Sequence, residues 1–236
     1  MLPLVGAAVD RDVTRRRSMD GVNEALRTRG WALVEGVSTQ DTFLRLACHF
    51  GIPVAPHDRP LVQRLLPTDA TEAAENTYSS RYGRSAFPFH TDYANWTTPP
   101  RYILMRSVGA THTVPTIVLD SSCLPSELTP DLRAACFRAR AWSTGFACNV
   151  LSQCRRVTLF RWDPHTMNPL DSFARTTAAS LVGVFDKLPT ASSAIPWEDA
   201  GRVLLLDNWR VLHARPDASN TSGRCLERVL VSAGES

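Results

Sequence analysis

"GRVLLLDNWRVLHARP", residues 201–216, reads as an apolar strand, a polar turn at Asp207 and Asn208, and a second strand-like segment that carries His213. Segments of the same kind stand on both sides of it: "RYILMRSV" (101–108), "TVPTIVLD" (113–120), "RVTLFRW" (156–162) and "CLERVLVSA" (225–233). Each is rich in branched and aromatic side chains and is bounded by Gly, Pro, Asn or Ser. Upstream the period changes. "MDGVNEALRTRG" (19–30) reads as a short helix ending at Gly30, with a strand, "WALVEGV", after it. "TQDTFLRLACHFG" (39–51) places a capping threonine before apolar residues at helical spacing and a glycine after them. "SELTPDLRAACFRAR" (126–140) offers one more helix, and the polar "PTDATEAAENT" (67–77) a mobile loop. Helices first and many unevenly spaced strands afterwards predict a mainly β fold, a barrel or sandwich with flanking helices.

The chain has 236 residues and a formal charge of +3, which suits one globular domain and gives no electrostatic footprint for nucleic acid. The short run Arg15, Arg16 and Arg17 is explained by a solvated face. Lys187 is the sole lysine, so nearly every cation is a planar guanidinium suited to carboxylates. The N-terminal charge follows the apolar stretch, the wrong order for a secretory signal, and no apolar run approaches the roughly 20 residues of a membrane span. Six cysteines without a C-x-x-C pair read as free thiols. The expectation is a soluble cytoplasmic protein that engages neither membrane nor nucleic acid. No G-x-G occurs, which argues against a Rossmann or P-loop enzyme.

"FPFHTDYANW" (87–96) sets His90 and Asp92 two positions apart among aromatic residues. On an extended strand they share a face, two-thirds of a facial metal site. Phe87 and Phe89 would then share the opposite face and pack in the core. Eleven residues after His213 comes Arg224, and four later Arg228. In one strand these arginines share a face about 13 Å apart. Arginine is almost never buried unpaired, so an interior position requires an anion there, either a protein carboxylate or a bound co-substrate.

Together "FHTD", "PTIVLD", "DNWRVLHAR" and "GRCLERVLV" resemble, in order and approximate spacing, the iron(II)- and 2-oxoglutarate-dependent dioxygenases of the taurine dioxygenase and clavaminate synthase group. "LACHFGIPV" (46–54) resembles a helix and turn near the start of these enzymes. The resemblance implies a double-stranded β-helix (jelly-roll) core in a single oxygenase domain, 1–236, with a helix–strand–helix section at about 18–55 packed on the barrel. It implies Fe(II) bound by His90, Asp92 and His213, with 2-oxoglutarate and O2 as co-substrates. Arg224 would pair with the distal carboxylate of 2-oxoglutarate, and Thr116 would hydrogen-bond the same group. Arg228 matches a second arginine that contacts an anionic substrate in some members and the iron-proximal co-substrate carboxylate in others. The chain is short for the group between Thr116 and His213, and "ATHTVPT" lacks the paired glycines often found before that threonine.

The expected reaction is hydroxylation of a small metabolite, amino-acid-like or anionic, in a biosynthetic setting, with release of succinate and CO2. Desaturation or ring closure would use the same residues. Asp92 argues against halogenation, since halogenating members carry a small residue there. Tyr93 and Trp96 are candidates for the substrate mouth. Arg161 and Asp163, in "LFRWDPHTMNP" (159–169), are candidates for substrate contact or for a surface ion pair. His49, His57, His112 and His165 have no partner at metal spacing. Two rival readings are a non-catalytic barrel serving as a binding module, which would give no charge-transfer band, and a zinc hydrolase, which would leave Arg224 without a purpose.

Overall fold

Alternation along the strands decides which side chains meet. The computed structural model of the chain describes residues 19–57, 59–75, 77–109, 112–140, 145–220 and 224–234. The predicted run Arg15, Arg16 and Arg17 lies outside them, as does residue 18 at the start of the N-terminal section. In chain order the elements are helix α1 over 19–29, β1 (Trp31–Val34), α2 (Gln40–Phe50), β2 (Ile52–Val54), β3 (Gln63–Leu65) and α3 (Tyr78–Tyr82). Then follow β4 (Phe87–His90), β5 (Tyr102–Ser107), β6 (His112–Asp120), α4 (Thr129–Ala134), β7 (Cys136–Ala139), β8 (Phe146–Asn149), β9 (Leu151–Cys154) and β10 (Val157–Phe160). The last are β11 (Met167–Pro169), α5 (Ser172–Phe185), β12 (Ser193–Trp197), β13 (Val203–Asp207), β14 (Val211–Arg215) and β15 (Leu226–Ser232).

One sheet runs β1-β13-β5-β15-β2, with β3 also on β15; the other runs β12-β6-β14-β4. All pairings are antiparallel. The two sheets face one another across Ile103, Met105, Val118, Ile195, Trp197, Leu204, Leu206, Val211, Leu226 and Leu230. Intervening residues of the larger sheet, Leu104, Val203, Leu205, Val229 and Val231, pack instead on Val22 and Leu26 of α1 and Phe43 and Ala47 of α2. Both faces of β13 are therefore covered, which is why Val203 to Leu206 is an unbroken apolar run. Behind the smaller sheet, Leu119 and Leu212 pack on Phe137, Trp162 and Leu181, the last from α5. This is the jelly-roll core with helices outside.

Thr39 caps α2 as its sequence suggests, in a reciprocal pair with Thr42. Gly30 ends α1 with φ +76°, and a Cβ there would lie 2.5 Å from Val211 Cγ2. Glycine both terminates the helix and lets β14 approach. One expectation changes and one holds. The helix over 126–140 stops at Ala134, because "CFRA" is taken up as β7 by β8 and β11. The segment expected as loop, 67–77, carries no helix or strand among its described residues and leads directly into α3, which Thr77 caps with Ser80. Helix α5 and several short strands have no counterpart in the sequence reading. Among the described residues no helix is long and apolar enough to cross a membrane.

Candidate active site

His213 lies on β14 two residues after Val211, so it points between the sheets. Its register partner is His90, the last residue of β4. Between His213–His90 and Arg215–Phe87 the register slips by one residue. This bulge corrects the expectation that Phe87 and Phe89 share a face. Phe89 packs on Phe185, whereas Phe87 and His90 both lie against Tyr78. Asp92 is already outside the strand, so simple alternation does not bring it to His90. Thr91 N–H donates to Trp162 O at 2.7 Å, turning the chain. Asn208 then fixes Asp92: its Oδ1 accepts the Asp92 N–H at 2.8 Å, and its Nδ2 donates to Asp92 O at 2.9 Å and Pro100 O at 2.9 Å. The turn that the opening stretch predicts is thus the buried clamp on the carboxylate.

Asp92 Oδ1 is 3.8 Å from His90 Nε2 and 3.8 Å from His213 Nε2. One potential ligand atom from each of the three residues lies within 4.8 Å of the others, and all three residues are buried. His90 Nδ1 is 2.9 Å from Pro88 O, which assigns the proton to Nδ1 and leaves the Nε2 lone pair facing the cluster. Burial, and then the neighbouring His90, pushes His213 down to about 3, so its imidazole is neutral. Burial also works to raise Asp92, but Arg228, His213 and His90 outweigh it and hold the carboxyl below its usual range. A neutral His213 imidazole, the Nε2 of His90 and an ionised carboxylate therefore converge on one point. A divalent cation resolves that arrangement, and the donor set suits iron(II) with open positions.

Arg228 donates from Nη1 to Asp92 Oδ2 at 2.7 Å and from Nη2 to Gln63 Oε1 at 2.7 Å; Tyr93 OH lies 3.4 Å from the same Nη2. Arg224 differs. It is buried, its Nε has no hydrogen-bond partner, and no acidic side chain among the described residues pairs with it. Burial and the nearby Arg215 push its guanidinium down to about 10. A buried cation without a counter-ion fits a bound carboxylate. Thr116 alternates with Val118 on the inner face of β6 and accepts from Trp197 Nε1 at 3.1 Å.

The other expected residues divide. Tyr93, at φ 55°, stands beside Trp96 with ring centroids 4.8 Å apart, next to Arg228. Arg161 and Asp163 do not form the ion pair considered for them. Arg161 is buried and donates to the carbonyls of Ala94, Trp96 and Thr97, bracing the loop after Asp92. Asp163 accepts from Tyr78 OH, His165 N–H and Thr166 OH. Sequence reading missed Tyr78, Gln63 and Asn208. Asn208 carried a signal, an amide in a turn between two wholly apolar strands; Tyr78 and Gln63 carried none.

A family model described as "Taurine catabolism dioxygenase TauD, TfdA family" matches residues 2–170, which include His90 and Asp92 and stop short of His213 and Arg224. A search of curated proteins returns no match. Among solved structures, an asparagine oxygenase in complex with Fe(II), 3-hydroxyasparagine and succinate superposes with a TM-score of 0.73 at 18% identity, covering 93% of this chain and 79% of that one. The non-heme iron oxygenase OrfP in complex with Fe and α-ketoglutaric acid gives 0.67 at 18%, covering 93% and 80%. PvcB from Pseudomonas aeruginosa gives 0.65 at 18%, covering 91% and 80%. At these identities the likeness establishes a shared fold.

Proposed function

This chain belongs to the taurine catabolism dioxygenase TauD, TfdA family, and from that premise we propose that it is an iron(II)- and 2-oxoglutarate-dependent oxygenase that hydroxylates a small amino-acid-like metabolite. The observation that carries the reading is a pairing of needs: three converging buried lone-pair donors that require a cation, beside a buried guanidinium that requires an anion. Fe(II) and 2-oxoglutarate supply both. An amino acid as substrate is supported by the solved neighbours, two of which hold a 3-hydroxylated asparagine or arginine. We assign the described elements to one oxygenase domain.

In this reading His90, Asp92 and His213 hold the iron on one face and leave the opposite face open. Asn208 and Arg228 keep Asp92 aimed, the first through its backbone and the second through Oδ2. Arg224 and Thr116 receive the distal carboxylate of 2-oxoglutarate. Arg228 has a hydrogen-bonding fork beside the open face, where the carboxylate of an amino acid or of the co-substrate also comes within its reach. Tyr93 and Trp96 line the mouth. Asp163 contributes a buried negative charge, and Arg161 acts on substrate only through the 94–97 loop it braces. The bound iron supplies oxygen activation coupled to decarboxylation of the oxo acid, and the protein supplies orientation and a site shielded from water.

The test is succinate release by the iron-loaded protein over a panel of free amino acids. At least one should stimulate succinate formation above the substrate-free rate, with a hydroxylated product, and His213→Ala should form none. Wild-type turnover in His213→Ala rejects the assignment.

A further inference from the structure

His90 is held on three sides, and one of the three holds is assigned no role by the iron reading. Its Nδ1 meets Pro88 O, and one face of its ring meets His213 at a centroid distance of 4.3 Å. Tyr78 from α3 lies nearly parallel to the His90 ring, at 4.1 Å and 22°. The phenol is anchored in turn: its OH donates to Asp163 Oδ1 at 2.8 Å. Asp163 is buried and fixed by two further donors, the His165 N–H at 2.8 Å and the Thr166 OH at 2.7 Å. The rest of α3 is tied to the same turn, because His165 meets Arg81 at Nδ1 and Tyr82 OH at Nε2, at 2.7 and 2.6 Å. A five-residue helix reached through an irregular segment has few other reasons to sit still.

We propose that Tyr78 is a positioning residue that seats His90, the 163–166 turn serving as its anchor and α3 as its carrier. The stack restricts rotation of the imidazole about its side-chain bonds and covers a face that water would otherwise reach. The Pro88 hydrogen bond sets which nitrogen carries the proton, and Tyr78 sets the plane in which Nε2 is presented. The hydrogen bond from the phenol OH to Asp163 Oδ1 fixes the ring from its far end. His213 has no such support: its Nδ1 is buried without a partner. The two histidines are thus unequally held, and loss of Tyr78 should be felt at one ligand only.

This inference rests on the metal reading, and the experiment separates the two. Cobalt(II) is titrated into metal-free wild type, Tyr78→Phe, Tyr78→Leu and Tyr82→Leu, without oxo acid or substrate. Tyr78→Phe keeps the ring and should bind within about twofold of wild type, whereas Tyr78→Leu should bind about tenfold more weakly, as is usual when support behind a ligand is lost. Tyr82→Leu removes the ring stacked on Tyr78 at 5.9 Å and the contact to His165 but leaves the Tyr78–Asp163 bond and the His90 stack in place, so it should lose clearly less affinity than Tyr78→Leu. In proton NMR of the metal-free proteins, the His90 ring protons, shielded by the stacked phenol, should move downfield in Tyr78→Leu and stay in Tyr82→Leu. Tyr78→Met replaces Tyr78→Leu if the latter does not fold. Equal cobalt affinity in Tyr78→Leu and wild type overturns the proposal, and so does an equal loss in Tyr82→Leu. A wild-type protein that binds no cobalt refutes the metal reading itself, and the proposal falls with it.

Discussion

Arg224→Met should move stability and co-substrate affinity in opposite directions. In the ligand-free protein the Arg224 guanidinium is buried and lacks a counter-charge, and its pKa falls from the usual guanidinium range to about 10. For a cation, a lowered folded-state pKa means that the charged form is penalised by the fold. The penalty is present in full below about pH 10, where both states are charged, and is relieved only as pH rises from there toward the ordinary guanidinium range. At neutral pH it amounts to about 3 kcal/mol. Methionine is unbranched and uncharged, though shorter than arginine, so the ligand-free variant should gain stability, up to about that amount after repacking. Its 2-oxoglutarate dissociation constant should meanwhile rise roughly 100-fold, because a desolvated charge pair of about 3 kcal/mol is lost. Urea unfolding at pH 7 without ligand gives the first quantity. Anaerobic calorimetric titration of 2-oxoglutarate into the iron-loaded protein gives the second. A variant that is less stable without ligand and binds 2-oxoglutarate as wild type does would refute the reasoning at both ends.

Three further outcomes follow from the same geometry. His213 has a folded-state pKa of about 3 against an ordinary 6.5, so the unfolded chain binds the proton first, and the metal-free protein should lose on the order of 4 kcal/mol as pH falls from 6.5 toward 3. Urea midpoints across that range check it, and His213→Asn should flatten the slope. Asn208→Ala removes both amide contacts to the Asp92 backbone and should destabilise by about 2–4 kcal/mol while weakening cobalt(II) binding about tenfold or more; unchanged metal affinity would count against the clamp. Leu205→Ala, between the larger sheet and the helices, should cost about 2–5 kcal/mol in urea without altering cobalt affinity, since Leu205 faces away from the site.

The sequence makes the main strands legible because burial on one or both faces leaves a pattern. Val203 to Leu206 and the alternation in "RCLERVLV" are statements about which neighbours cover them. The convergence of His90, Asp92 and His213 was readable in outcome and wrong in route. Extended-strand alternation suggested the pairing, while the molecule makes it through the turn at Thr91, the Asn208 amide and a bulge in β4. A bulge has no signature in side-chain chemistry, so Phe87 and Phe89 were placed together and are apart. Tyr78 shows the larger limit. A tyrosine after a polar segment looks like any surface residue until a carboxylate 85 positions later is seen to accept its hydrogen bond. Helix α5 and the β7–β8 pair were missed because neighbouring elements, more than local propensity, determine them.

In the proposed function the inner face of the jelly roll assembles iron(II) and 2-oxoglutarate side by side. Anaerobic addition of both to the metal-free protein, followed by a visible difference spectrum, tests it most directly. The expected result is a weak metal-to-oxo-acid charge-transfer band that needs both components and is absent in His213→Ala. A well-folded wild-type protein that shows no such band would contradict it.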